Sequence, residues 1–296
     1  MSLSELLWRR KIALFKAKTN YILFTNVFNE APKIQQLFEH VAKLNLLPRR
    51  WIIINDGSND NTWQELEKYV GEFSNLKTMI QVFNLPPKEK GDLTTIGQAY
   101  AYVFEHANLK AENYDFMSIL DVDTELHPNY YNEAARIFQH VDIVGIVSGY
   151  ISGQERSIYQ PEGCGKCVRW EVVKEINFWD PAPDTQINIT NLALGYGWSV
   201  IKGDVGLLRA PQASRNTTAK GAFHAGWFWY YVGGSRSSAY IRMFYRMLRR
   251  RFGRDFIRGY NHNRNVEKRM TNDTRVLAFY KKHPRSSKNV WKKIDV

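Results

Sequence analysis

Trp51-Ile-Ile-Ile-Asn-Asp-Gly-Ser-Asn-Asp-Asn-Thr62 is an apolar run that stops abruptly in turn and helix-capping residues. A short unbroken apolar run, with no polar alternation, reads as a strand buried on both faces. The Asn-Asp-Gly-Ser string then supplies side-chain acceptors and backbone freedom for leaving a strand and entering a helix. The spacing predicts that helix over residues 62–73, burying Trp63, Leu66 and Val70.

The alternation continues in both directions. Upstream, Tyr21-Ile-Leu-Phe-Thr25 is a strand candidate, and residues 32–47 carry Ile34, Leu37, Phe38, Val41 and Leu44 at helical spacing. Downstream, strands are expected over 78–83, 116–120, 142–151 and 198–202, with helices over 95–107, after Pro128, over 167–176 and from Asp184 to Gly195. Strands alternating with helices imply an α/β fold, a Rossmann-like and mostly parallel sheet covered on both faces. Ligands of such sheets sit beyond the carboxyl ends of the strands.

Asp56, Asp121 and Asp123 each follow an apolar strand run. If those strands are neighbours, three carboxylates gather at one sheet edge. Helix capping alone would explain Asp56 or Asp60 taken singly. Acids after two separate strands are harder to explain that way.

Net charge is +12, from 41 Lys and Arg against 29 Asp and Glu. With 44% hydrophobic and 24% charged residues, a packed core is expected and wholesale disorder is not. No apolar run approaches the ~20 residues of a membrane span. Residues 1–18 are amphipathic and basic, without the apolar stretch of a secretory signal, so a cytoplasmic location is expected. The two cysteines, Cys164 and Cys167, fit a redox pair or half a zinc site by spacing, but no second pair exists, and ordinary packing is the expectation.

Tyr21-Ile-Leu-Phe-Thr-Asn-Val-Phe-Asn-Glu30, Ile53-Ile-Asn-Asp-Gly-Ser-Asn-Asp-Asn-Thr62 and Ile119-Leu-Asp-Val-Asp123, in that order and spacing, resemble the family-2 glycosyltransferases of GT-A fold. The likeness runs over residues 21–246. It implies a nucleotide-sugar donor, with Asn26, Phe28, Glu30, Asp56 and Asp121 at the nucleotide. Asn26-Val27 stands where many relatives carry Pro-Thr, which leaves the base open. Asp121 and Asp123 resemble the family's metal pair, Asp123 as the direct ligand, and hard oxygen donors suit Mn2+ or Mg2+. His224 is a further metal or phosphate candidate beside a purely structural role. Lys88 and Lys90 either reach phosphate or belong to a solvated loop.

Pro183-Asp-Thr-Gln-Ile187 before Leu194-Gly-Tyr196 resembles the layout that carries the family's base, which nominates Asp184, with Glu162 and Asp180 as alternatives and helix capping as the plainer role. The resemblance extends to Ser235, Arg236 and Arg242 as diphosphate contacts. The implied reaction is inverting transfer of a sugar from a UDP- or GDP-sugar to a hydroxyl acceptor on a glycan or lipid-linked glycan. A sugar nucleotidyltransferase would show a glycine-rich phosphate loop near the first strand, which Phe28-Asn-Glu-Ala-Pro32 is not. An inactive adaptor would not need the acids at 56, 121, 123 and 184.

The expected organisation is a basic helical segment over 1–20, a catalytic domain over 21–235 whose donor half ends near 125 and whose acceptor half covers 126–235, and a basic amphipathic extension over 236–296. In that extension Tyr240, Met243, Phe244, Met247 and Leu248 make one apolar face, with Arg242, Arg246, Arg249 and Arg250 on much of the remainder. Three partners stay open for it: the catalytic domain itself, an anionic membrane surface on the inner face of the cell membrane, and nucleic acid, which ranks last for want of a base-reading motif.

Overall fold

A computed structural model describes residues 19–87, 96–151, 163–176, 193, 197–202, 207–209, 218–231, 233–265, 274 and 278. The strand expected at Tyr21–Thr25 is β1 (Tyr21–Val27), followed by α1 (Ile34–Ala42), β2 (Arg50–Asn55), α2 (Thr62–Glu72) and β3 (Ile80–Asn84). Then come α3 (Ile96–His106), β4 (Phe116–Ile119), β5 (Glu125–Leu126), α4 (Tyr130–His140) and β6 (Val144–Ser148). β7 (Lys166–Arg169) runs directly into α5 (Trp170–Glu175), and β8 (Ser199–Lys202) and β9 (Leu207–Arg209) precede three helices, α6 (Ala219–Tyr231), α7 (Arg236–Leu248) and α8 (Gly253–Asn265).

Seven strands form one sheet in the order β3-β2-β1-β4-β7-β6-β8. β1 pairs in parallel with β2 on one side and with β4 on the other. Within this sheet β7 runs against its neighbours β4 and β6. The strand order reverses at β1, so the crevice between β1 and β4 is the sheet's topological switch point.

β1 shows why its sequence is apolar. Side chains alternate between sheet faces. Tyr21 and Leu23 enter a core built with Ile34, Leu37 and Phe38 of α1 and Tyr130 and Tyr131 of α4. Ile22 and Phe24 enter a second core with Tyr100, Val103 and Phe104 of α3 and Val172 of α5. Phe24 stacks on Phe104 at 5.2 Å between ring centroids. The result is the three-layer α/β arrangement of the GT-A fold, with no solvent face left on β1.

Two expectations are corrected. Residues 167–176 are not one helix, because Cys167 and Val168 belong to β7, where antiparallel pairing with β4 sets Met117 opposite Val168. The helix expected over 32–47 ends at Ala42, since the Asn45 amide donates to the Pro128 carbonyl at 2.9 Å and draws the chain away. Leu44 and Leu46 are still buried, from the loop.

α6 and α8 pack backbone to backbone. A Cβ on Gly226 would lie 1.7 Å from the Phe256 carbonyl oxygen, and one on Gly259 would lie 1.9 Å from that of Phe223. Only glycine permits this approach. Tyr231, Phe228 and Trp229 of α6 in turn pack against the second sheet core.

Candidate nucleotide-sugar site

The carboxyl ends of β1, β2 and β4 converge. β1 sets Asn26 opposite Ile54 and Val27 opposite Asn55, and the Asp56 amide extends this ladder to the Val27 carbonyl at 2.9 Å. On the other side the Leu120 amide donates to the Phe24 carbonyl at 2.8 Å, so Asp121 leaves β4 beside the end of β1. The Thr124 amide closes a turn onto the Asp121 carbonyl at 3.1 Å. Val122 in that turn is buried in the core, with half-buried Asp121 and Asp123 on either side.

The Asn55–Thr62 string clasps the loop after β1. Ser58 Oγ accepts from the Asn29 amide at 3.0 Å, and Asn29 Oδ1 accepts from the Asn59 amide at 2.9 Å. Thr62 Oγ1 accepts from the Glu30 amide at 2.9 Å, and Asp60 Oδ2 from the Ala31 amide at 3.4 Å. Asn29 takes the left-handed conformation at φ 56, which asparagine tolerates better than most residues. Four cross-loop bonds therefore hold Asn29–Ala31, just beyond Phe28.

The two readings of the acids separate cleanly here. Asp60 does the turn work, accepting from the Thr62 amide at 2.9 Å. Burial raises its pKa, but the Thr62 hydroxyl and the amides of Thr62 and Ala31 outweigh that and hold it below its ordinary value. Asp56 is instead 5% exposed at the strand end. Its charge meets that of Asp121 at one buried phenol. Burial pushes Tyr100 well above its ordinary pKa, and Asp121 and Asp56 push it further.

Asn26 Oδ1 is buried with no hydrogen-bond partner among the described residues, while Phe28 is exposed at the same strand end. Glu30 is half-buried and bonded to Lys33, whose Nζ lies 2.8 Å from Glu30 Oε2 and 3.3 Å from Asp123 Oδ2. The Glu30 carboxylate holds the Lys33 ammonium above its ordinary pKa; burial opposes this and Asp123 adds to it. Sequence reasoning missed both Lys33 and Tyr100. A lysine three residues after Glu30 is the available signal for Lys33. Tyr100 is indistinguishable by spacing from any other core aromatic of its helix.

The remaining candidates lie elsewhere or outside the described residues. Asp184, its alternatives Glu162 and Asp180, and Lys88 and Lys90 fall outside them. His224 sits on α6 with its ring 6.0 Å from those of Phe223 and Trp227. Among the described residues no three His, Cys, Asp or Glu side chains gather as a metal cluster. Ser235 caps α7, accepting from the Ser238 amide at 3.3 Å, and Arg236 is exposed beside it. The Arg242 guanidinium lies 3.8 Å from the Trp229 ring centroid, and burial lowers its pKa, as does the charge of Arg246. Cys164 and Cys167 are buried thiols rather than a disulfide; burial pushes the Cys167 thiol up to about 12, partly offset by its contact with Ser118.

A family model, glycosyl transferase family 2, matches residues 22–178, more than half of the chain. The chain belongs to glycosyl transferase family 2. An uncharacterised glycosyltransferase of Mycoplasma pneumoniae is 29% identical over 110 residues, which is 37% of this chain and 32% of the length of that relative. Among solved structures, a mannosyltransferase of Pyrobaculum calidifontis in complex with GDP-Man and Mn2+ matches with a TM-score of 0.55 and 13% identity, over 75% of this chain and 68% of that one. Glucosyl-3-phosphoglycerate synthase of Mycobacterium tuberculosis, in complex with Mn2+, UDP and phosphoglyceric acid, matches at 0.53 and 12% identity, over 77% and 84%. At such identities these two likenesses establish the shared GT-A fold.

Proposed function

We propose that this family-2 glycosyltransferase moves a sugar from a UDP- or GDP-sugar to a hydroxyl acceptor with inversion. The observation that carries the reading is the convergence of Asp56, the Asp121–Thr124 turn and the clasped Asn29–Ala31 loop at the switch point of the sheet. In this reading the exposed Phe28 ring flanks the base, and the unpartnered Asn26 Oδ1 accepts from its edge or from the ribose. A buried acceptor without a donor is costly, so a ligand donor there would be strongly selected. Asp56 and Asp121 complete the nucleoside pocket, and Ser235 and Arg236 are the diphosphate contacts.

The donor set fits a divalent ion. Two carboxylates on one short turn supply hard oxygen ligands, and Mn2+ or Mg2+ commonly takes one or two protein carboxylates with substrate phosphates and water. Asp123 and Asp121 would hold it, and His224 stands as an additional candidate. Bound there, the ion offsets the negative charge that develops on the departing nucleoside diphosphate. The Lys33 ammonium already answers part of the Asp123 charge in the free protein.

Asp184 is the proposed base. It takes the proton of the acceptor hydroxyl as that oxygen attacks the anomeric carbon opposite the leaving diphosphate. A glycan or lipid-linked glycan at an anionic membrane face is the acceptor setting this reading favours.

The test is release of nucleoside diphosphate from a panel of UDP- and GDP-sugars with Mn2+. Slow release from at least one donor, lost in Asp123→Ala, supports the reading. A chain inert to every donor, with and without glycan acceptors, contradicts it.

A further inference from the structure

Helix α7 is turned the opposite way from what its composition suggests. Its apolar residues face outward: Ile241 is 66% exposed, Phe244 61% and Leu248 68%, with Tyr245 and Phe252 also exposed. At 3.6 residues per turn these side chains cover an arc of roughly 100°. Two arginines face inward instead. Arg242 lies over Trp229, and Arg246 lies 5.0 Å from the Phe256 ring centroid. Met243 and Ala239 complete the inner face against α6 and α8. By spacing Met243 belongs to the same stripe as Leu248; the packing separates them. Arginine stems and guanidinium planes cover aromatic faces well, which lets cations take the inner side.

The turn after α7 extends this face. Arg250 and Phe252 hold positive φ, at 52 and 47, a conformation that large side chains rarely adopt. Gly253 seals the turn, since a Cβ there would lie 2.4 Å from the Met243 carbonyl oxygen. Backbone strain of this kind persists where the surroundings enforce it. Its effect here is to set an exposed phenylalanine beside the apolar arc, with exposed Arg249, Arg250, Arg251 and Arg254 around it. Asp255 is the one acid between Arg236 and Asn265, and it is bonded to Arg258 at 3.4 Å.

We infer that the outer face of α7, with Phe252, is the surface by which this protein docks on an anionic phospholipid bilayer. Ile241, Phe244 and Leu248 enter the boundary between headgroups and acyl chains, while Arg249, Arg250, Arg251 and Arg254 meet lipid phosphates. Charge selects this occupant over a second copy of the chain, because two such faces would bring like arginine clusters together. The apolar arc selects it over nucleic acid, whose binding is dominated by phosphate contacts and does not need large exposed aliphatic side chains. No helix among the described residues is long and apolar enough to cross a membrane, so the contact is interfacial. Docking of this kind rests on the α7 surface alone and does not depend on the donor or base assigned above.

Flotation of the full chain with vesicles of equimolar phosphatidylglycerol and phosphatidylcholine, against pure phosphatidylcholine, tests it. Binding is expected to the anionic vesicles and to weaken as salt rises. Phe244→Ser with Leu248→Ser should weaken it at least about tenfold while UDP or GDP binding and circular dichroism stay unchanged. Arg249→Glu with Arg250→Glu should weaken it and flatten its salt dependence. Absence of binding at low salt would overturn the inference. So would undiminished binding by the serine variant, which would reveal a purely electrostatic contact. Lipid-free dimerisation abolished by the serine pair, or equal affinity for an RNA duplex insensitive to that pair, would likewise assign the face to another partner and overturn it.

Discussion

Lys33 Nζ lies 3.3 Å from Asp123 Oδ2, joining the loop after β1 to the turn after β4 across 90 residues of sequence. In the free protein this ammonium occupies part of the charge field that a divalent ion would use. Lys33→Met is therefore expected to tighten Mn2+ binding to the nucleotide-free protein by roughly two- to fivefold, the scale of an exposed ion pair. Calorimetric titration of Mn2+ into both proteins checks this. Unchanged or weaker binding by the variant would show that Lys33 supports the ion rather than competing with it.

Asp184→Asn should leave donor binding intact and lower turnover by about 10²–10⁴, the usual worth of a general base. Paired donor titrations and steady-state rates distinguish the two effects. Near-normal transfer by the variant would move the base to Glu162 or Asp180.

The glycine contact between α6 and α8 is expected to be intolerant of a single methyl. Gly226→Ala places a carbon where the Phe256 carbonyl stands, and Gly259→Ala does the same at Phe223. Each should cost about 1–3 kcal/mol or more, as overpacking does. A lowered denaturant midpoint is the expected readout, and wild-type stability in both variants would contradict the backbone contact.

Asp60 gives the loop after β1 an acid limit. Its folded pKa is below the ordinary 3.8, so it contributes stability above that value and loses it as pH falls through the folded pKa. Asp60→Asn should flatten the acid limb of the stability curve below about pH 4 while changing little near neutrality. Thermal melts across that range measure it; an identical acid limb would show that the loop bonds do not depend on the charge.

Much of the stretch from residue 21 to 125 was legible in the sequence because its signals are local. Tyr21–Thr25, Trp51–Ile54 and Phe116–Leu120 are apolar runs with no alternation, and each ends in acids or turn residues, so strand, exit and candidate site appear together. What was not legible depends on distant partners. Cys167 and Val168 resemble the start of a helix until Met117 is set beside them. β5 is only Glu125–Leu126, too short for any periodicity, and exists because it pairs with Leu207–Arg209. The stripe on α7 was visible, yet its spacing could not say which side meets the protein; Trp229 and Phe256 decide that by accepting Arg242 and Arg246. For Lys33 only the local half of its role, the spacing from Glu30, was legible; its second partner Asp123 is remote in the chain.

If the Asp121–Asp123 turn and the clasped loop form the donor site, they bind a nucleoside diphosphate together with a divalent ion. Calorimetric titration of UDP and of GDP, each with Mn2+ and with chelator, reads this out without any acceptor. At least one of the two is expected to bind about tenfold or more tightly with Mn2+, and Asp123→Ala should remove the difference. Equal affinity in metal and in chelator, or no binding of either nucleotide, would contradict it.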